Sequence, residues 1–139
     1  MKRLALFLST PFLVLALVSA MASQTLHFET SVPPLVNEDI AAACHAAITI
    51  PAPEHSVDAV WVIYDRGRDV HDLYADPSVI SFARRLHLAL LLHGHCPGKQ
   101  VEDRGDMNMD PANGLGRVLF AALSQFAEAS GHRIIRSSR

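Results

Sequence analysis

Residues 57–64 read Val-Asp-Ala-Val-Trp-Val-Ile-Tyr, and after Asp58 both alternating faces of this run are apolar. An apolar run of this length with β-branched and aromatic residues is typical of a strand that helices cover on both faces, as in a parallel sheet. The stretch therefore predicts an α/β fold with a mostly parallel sheet and flanking helices.

A helix and a second strand are predicted to follow. Asp76-Pro77 has a capping residue before a proline, the usual order at a helix start, and the apolar run Leu88–Leu92 ends at Gly94. Strand, helix and strand in this order require a crossover, which is almost always right-handed. Upstream, residues 46–50 include three β-branched positions before Pro51 and are also assigned to a strand.

The last third of the chain combines a long loop, residues 94–113, with an amphipathic helix. Apolar residues then recur at three- and four-residue steps, which predicts a helix that packs on the sheet. They are Leu115, Val118, Leu119, Ala122, Leu123, Phe126 and Ala127. Gly131 is a natural stop for this helix, and residues 132–135 indicate the start of another strand.

Composition narrows the class of protein. The 139 residues include 12 Lys and Arg against 14 Asp and Glu, a net charge of -2, with 50% apolar and 19% charged residues. Near neutrality argues against a nucleic-acid partner, and the apolar fraction excludes a disordered chain. The length suits one domain.

The first 22 residues have the features of a secretory signal peptide. Lys2 and Arg3 precede an apolar run over residues 4–18, and Ala20-Met21-Ala22 supplies the small residues of a cleavage site. The run is shorter than the roughly 18 residues that cross a membrane. We therefore expect a leader over residues 1–22, one domain over 23–139, a secreted or periplasmic location and no stable membrane span after cleavage.

Two cysteines, Cys44 and Cys96, remain after this cleavage. In an oxidising compartment disulfides persist, and two cysteines allow a single intramolecular pairing. A pair of buried free thiols is the alternative, and the sequence leaves both open.

The succession of these segments resembles the front half of a secreted α/β-hydrolase, nearest to the polyhydroxybutyrate-depolymerase-like and esterase-like proteins. The similar stretches are Val60–Arg68, Leu73–Pro77, Leu88–Pro97, Met109–Pro111 and Gly114–His132. The resemblance implies a three-layer α/β-hydrolase-like fold in which Ala59–Tyr64 is the third strand and Leu88–His93 the fourth. It also implies carboxylic ester hydrolysis, with a small-molecule ester as substrate for a complete homologue and no cofactor.

The catalytic residues of that family follow its fifth strand, which ends in a Gly-x-Ser-x-Gly nucleophile elbow. This sequence contains no Gly-x-Ser-x-Gly, and none of its residues matches the nucleophile, acid or base. We therefore expect an incomplete sheet, shortened before the nucleophile, and no activity of the chain alone. In the family's strand order the third strand lies between the fourth and fifth, so residues 60–64 are expected to form an exposed edge that permits self-association.

One element of the family's oxyanion hole has a counterpart in this sequence. The backbone N–H groups of Gly67 and Arg68 occupy the loop after the third strand, from which the family takes a donor for the negative oxygen. The family usually has His-Gly here, whereas this chain has Arg66-Gly67, and a solvated turn is the alternative.

Two other interpretations concern residues 94–98, Gly-His-Cys-Pro-Gly. They match a Gly-x-Cys-x-Gly elbow, but Pro97 lacks the N–H that an elbow needs after its nucleophile, so a disulfide or buried thiol is predicted for Cys96 instead.

A periplasmic metal binder is an alternative function, in which His93, His95 and Cys96 hold zinc or copper and His71 approaches from a neighbouring loop. An interaction module without chemistry is a further alternative.

Overall fold

The computed structural model describes residues 24–65, 67–94, 96–99 and 110–133. Its strands are β1 (Leu26–Val32), β2 (Cys44–Ile50), β3 (Ala59–Tyr64) and β4 (Leu88–His93). Its α-helices are α1 (Arg68–Ala75), α2 (Pro77–Arg85) and α3 (Leu115–Ser130), and a short 3₁₀ turn, Pro111–Asn113, precedes α3. The predicted leader lies outside these residues, as do residues 134 and 135 of the further strand predicted over residues 132–135.

The four strands form one sheet in the order β1-β2-β4-β3. β2 is antiparallel to both β1 and β4, and only β3 and β4 are parallel, with Val62 opposite Leu91. The prediction of an α/β fold is confirmed, but a mostly parallel sheet is wrong for this part of the chain. Residues 33–43 form a connection too short for a helical crossover, so β2 returns antiparallel beside β1.

The sheet has helices on both faces, because successive side chains of β4 enter two different cores. Ala89 and Leu91 pack with α3, which contributes Val118 and Phe126. Leu90 and its neighbour Leu92 pack with α1 and α2 on the opposite face. The described residues therefore form a small three-layer domain with β4 at its centre.

The strand Ala59–Tyr64 has the predicted bounds but not the predicted burial. Within the described residues β3 pairs with β4 alone and lies at the edge of the sheet. Trp61 is 39% exposed, and Ile63 is the one buried residue of the strand. The strand that is buried on both faces is β4 instead, because β4 has a hydrogen-bonded neighbour on each side.

The start of α2 and the end of α3 have the predicted causes. Asp76 caps α2, since its Oδ1 accepts hydrogen bonds from the backbone N–H of Ser78 at 2.6 Å and of Val79 at 3.4 Å. α3 stops at Gly131, whose φ of 73° is left-handed.

Two elements were not predicted. β1 carries Leu26, Phe28 and Val32 at alternating positions, a period-two signal that its polar residues obscure. α1 follows a charged turn, and only Val70 and Tyr74 pack into the core. Among the described residues no helix combines the length and apolar character needed to span a membrane.

Candidate functional site

A cleft of about 920 Å³ opens on the face of the sheet that α1 covers only in part. Asp65 and Gly94, which directly follow β3 and β4, lie in its wall. Ala47 on β2 and Leu92 on β4, which face α1, give the cleft apolar surface. The cleft therefore touches the carboxyl ends of the two parallel strands, where α/β proteins usually bind ligands.

A carboxylate–imidazole pair stands at the mouth of this cleft. Oδ2 of Asp65 lies 2.8 Å from Nε2 of His71 on α1. The other oxygen, Oδ1, accepts a hydrogen bond from the backbone N–H of Gly67 at 3.2 Å, and the backbone N–H of Asp65 donates to the carbonyl of His93 at 2.9 Å. The aspartate is thus held at the end of β3, and it orients an imidazole that stays half-exposed to solvent. This arrangement can bind or transfer a proton.

A second polar chain runs beneath the cleft. The hydroxyls of Thr49 and Tyr74 lie 2.7 Å apart and are buried, and Nδ1 of His27 lies 3.1 Å from the Thr49 hydroxyl. Burial raises the pKa of Tyr74, against a smaller opposing effect of its hydrogen bond to Thr49. Tyr74 therefore remains a neutral phenol at neutral pH and can donate or accept a hydrogen bond.

The charged groups around the cleft are carboxylates and histidines. Glu29, Asp65 and Asp72 contribute carboxylates, and His45 joins the two histidines already described. None of the described residues that line the cleft is Lys or Arg. The three carboxylates disfavour anions, so this lining is suited to neutral or cationic ligands.

The oxyanion-hole candidates Gly67 and Arg68 are not among the described lining residues. Gly67 has a φ of 131° and donates its N–H to the Asp65 carboxylate, while its carbonyl accepts from the N–H of Val70 at 3.1 Å. Arg68 is the first residue of α1. The Gly67 N–H is therefore engaged in the turn that holds Asp65, and an oxyanion role for either residue stays a prediction.

Cys44 and Cys96 lie at disulfide distance, with their Cα atoms 4.7 Å apart, and both are buried. The sequence left a disulfide and two free thiols as alternatives, and the fold has the two cysteines arranged as a disulfide. In this pairing the sulfur of Cys96 is bonded to Cys44, so it cannot act as the nucleophile that the Gly-x-Cys-x-Gly interpretation needs. The pairing also removes Cys96 as a thiolate ligand for as long as the bond persists.

His93 is fully buried beside this pair. Its Nδ1 lies 3.2 Å from the carbonyl oxygen of Gly94 and 4.0 Å from Sγ of Cys96, and burial lowers its pKa. His95, the third predicted metal ligand, lies outside the described residues. Within the described part of the chain, no three His, Cys, Asp or Glu side chains are grouped to hold a metal ion.

Sequence reasoning considered His71 only as a metal ligand and did not single out Asp65, His27 or Tyr74. The spacing of Asp65 and His71, six residues apart across a turn, was the available signal, but it becomes informative only when α1 is recognised.

Comparisons of the chain with protein-family models, with curated proteins and with solved structures found no match.

Proposed function

We propose that this chain is an exported α/β-hydrolase-like protein, related to carboxylic ester hydrolases, which binds a neutral ester in its cleft and has no hydrolytic activity by itself. The observation that carries the proposal is the joint position of the cleft and the parallel pair β3–β4, because the cleft meets the carboxyl ends of both strands. Ligands of α/β proteins are usually bound at this edge.

The strand order supports the relationship to hydrolases. The segments that the resemblance assigns to the third and fourth strands, Ala59–Tyr64 and Leu88–His93, are adjacent and parallel, with α1 and α2 between them in the chain. The outer side of β3, where the family has its fifth strand, has no partner within the described residues. The Cys44–Cys96 pair agrees with a location outside the reducing cytosol.

The chemistry of the cleft supports an ester as the ligand. Tyr74 and the histidines can donate a hydrogen bond to an ester carbonyl, and Ala47 and Leu92 can contact a short acyl chain. The surrounding carboxylates oppose the anionic acid that hydrolysis would release. The proposed site therefore prefers an ester to its product.

The absence of turnover follows from the lack of an activated nucleophile. The sequence has no Gly-x-Ser-x-Gly, and the sulfur of Cys96 is paired with Cys44. The Asp65–His71 pair could accept a proton, but acyl transfer also needs an attacking group and an oxyanion donor placed around one carbon.

The binding claim is tested by NMR on the exported, processed protein. Ethyl butyrate should shift the amide signals of Ala46, Ala47 and Gly94, and sodium butyrate should shift them less at equal concentration. Asp65→Asn should weaken the response, whereas Asp58→Asn should leave it unchanged, because Asp58 also lies near a histidine but outside the cleft. No shift with the ester would contradict the binding claim.

The inactivity claim has its own test. Neither hydrolysis of p-nitrophenyl butyrate above the buffer rate nor labelling by a fluorophosphonate is expected, with an active serine esterase as positive control. Turnover together with a labelled serine would overturn this part of the proposal while leaving the binding result intact.

A non-catalytic interaction module is the second candidate function, and it is favoured by the edge position of β3, which pairs with β4 alone among the described residues. A role of this kind includes the self-association expected from the sequence.

A further inference from the structure

Three polar side chains from three elements form a continuous hydrogen-bonded chain at the cleft. Nδ1 of His27 on β1 lies 3.1 Å from the hydroxyl oxygen of Thr49 on β2, directly opposite in the register, and this oxygen lies 2.7 Å from the hydroxyl oxygen of Tyr74 on α1. His27 and Tyr74 both line the cleft, whereas Thr49 between them is buried. A half-exposed imidazole is thus joined to the Tyr74 phenol through one buried hydroxyl.

The number of protons limits how this chain can be arranged. A hydroxyl has one proton and donates one hydrogen bond, and a neutral imidazole donates through one nitrogen and accepts through the other. Among the described residues the Thr49 hydroxyl has these two partners, so it has to donate to one of them or leave a buried O–H unpaired. The hydrogen bonds therefore point the same way along the whole chain, and His27 sets their direction.

A neutral His27 draws the protons towards β1. Its Nε2 lies 3.5 Å from Oε1 of Glu29, and since a carboxylate only accepts, the proton of the neutral ring is favoured on Nε2. Nδ1 is then an acceptor, so the Thr49 O–H donates to Nδ1 and the Tyr74 O–H donates to the Thr49 oxygen. The proton of Tyr74 is used within the chain, and its oxygen can only accept from a ligand.

Protonation of His27 reverses each of these bonds. The imidazolium carries a proton on both nitrogens, so Nδ1 donates to the Thr49 oxygen and the Thr49 O–H donates to the Tyr74 oxygen. The Tyr74 O–H is then free to donate to a ligand, while Glu29 remains beside Nε2 as the counter-charge.

Other charged and titratable groups lie around His27. From α2, the terminal nitrogen of Arg84 donates to the hydroxyl of Thr25, two residues before His27, at 3.0 Å. The rest belong to the cleft lining, and they are His45, Asp65, His71 and Asp72. None of these groups has a printed contact within the chain of three, so their titration changes the field of the cleft but not the direction of the hydrogen bonds.

We propose that His27 is a positioning residue that decides, through Thr49, whether Tyr74 donates or accepts a hydrogen bond in the cleft. An ester offers only acceptors, because neither of its oxygens carries a proton. A protonated His27 therefore favours an ester, whereas a neutral His27 favours a ligand that donates, such as an alcohol. The inference rests on the proposed ester site for its ligand, but the hydrogen-bonded chain is a property of the free protein.

The direction of the chain is tested first without a ligand. The ¹⁵N chemical shifts of the His27 imidazole in the processed protein at about pH 8, where imidazoles are neutral, should show the tautomer with its proton on Nε2. A neutral ring that carries its proton on Nδ1 would overturn the proposal.

Titration with ethyl butyrate, followed by the amide signals of Ala47 and Gly94, tests the consequence. The affinity should rise about fivefold from about pH 8 to about pH 5.5, the value of one net hydrogen bond. An affinity that stays constant or falls would overturn the role of His27. Absence of ester binding at both pH values would instead contradict the proposed function and the ester preference that rests on it, while the tautomer still decides the direction of the chain.

Variants separate this chain from the other groups of the cleft. Thr49→Val interrupts the chain with little change of shape and should abolish the pH dependence, whereas Thr49→Ser keeps a hydroxyl and should retain it. His27→Ala, at an exposed position, should also abolish it and serves in case Thr49→Val fails to fold. His45→Gln removes a titratable group outside the chain and should keep the fivefold ratio. A pH dependence that persists in both Thr49→Val and His27→Ala would overturn the proposal.

Discussion

The guanidinium of Arg117 in α3 donates to both carboxylate oxygens of Glu38, which lies in the connection between β1 and β2. Its terminal nitrogen is 2.7 Å from Oε2, and the second bond joins Nε to Oε1. The same carboxylate accepts the backbone N–H of Leu35 at 2.7 Å, and Glu38 is only 8% exposed. A bidentate pair with this burial ties the β1–β2 connection to the helix that covers one face of the sheet.

Replacement of this carboxylate should destabilise the domain. Glu38→Gln is expected to lower the free energy of unfolding by about 2 kcal/mol, because Arg117 loses its charged partner in a mostly buried place. Urea denaturation monitored by circular dichroism measures the change. Glu29→Gln, at an exposed position, serves as the control and should have an effect of at most about 0.5 kcal/mol. Equal effects of the two substitutions would contradict the structural role of the pair.

The same pair predicts a pH dependence. The hydrogen bond from Arg117 holds the pKa of Glu38 below its ordinary value of 4.5. A carboxyl group with a lowered pKa in the folded state stabilises the fold fully above the unfolded pKa and loses that contribution as the pH falls through the folded pKa. The wild type should therefore lose stability more steeply than Glu38→Gln below about pH 4.5, as thermal unfolding at several pH values would show. If the stability of the two proteins falls equally with decreasing pH, the predicted contribution of the ionised Glu38 is wrong.

The Cys44–Cys96 pair should contribute strongly to stability. It closes a loop with a sequence separation of 52, for which chain entropy gives about 4 kcal/mol. The double variant Cys44→Ala/Cys96→Ala should unfold at much lower urea concentration, and dithiothreitol should shift the wild type towards the variant without changing the variant itself. A wild type that is insensitive to complete reduction would show that the link is dispensable.

The buried hydroxyl pair of Thr49 and Tyr74 should show non-additive effects. Thr49→Val leaves the Tyr74 hydroxyl without this partner in the core and is expected to cost about 1 to 2 kcal/mol. Tyr74→Phe removes that hydroxyl, so the double variant should lose less than the sum of the two single variants. Unfolding free energies of all four proteins test this coupling, and strict additivity would contradict it.

Two glycines with left-handed backbones should differ in their tolerance of alanine. A Cβ on Gly114, where φ is 111°, would lie 2.7 Å from Cδ of Glu38 and 2.9 Å from Cδ1 of the buried Ile40. Gly114→Ala is therefore expected to cost about 3 kcal/mol or more, since strain and overlap add. At Gly131 nothing lies within 4 Å of a Cβ, so Gly131→Ala should cost about 1 kcal/mol from backbone strain alone. Thermal unfolding compares them, and a reversed order would be contrary evidence.

Part of the candidate site follows from local patterns and part does not. The apolar runs predicted β3 and β4, which place Asp65 and Gly94 at the carboxyl ends of two parallel strands. The pairing of Asp65 with His71 depends on α1, whose short apolar face is masked by charged neighbours. The Thr49–Tyr74 contact joins residues from β2 and α1 that are far apart in sequence, and no local periodicity encodes it.

By itself the amino-acid sequence determined the α/β class, the runs that form β3 and β4, the start of α2 and the end of α3, because strand runs, helix caps and left-handed glycines act between near neighbours. Only the tertiary structure decided that β2 runs antiparallel, that β3 lies at the edge of the described sheet and β4 at its centre, and that a cleft forms beside Asp65 and His71. These features depend on which apolar faces meet, and that choice is made by packing between distant segments, where many sequence patterns are compatible with more than one arrangement.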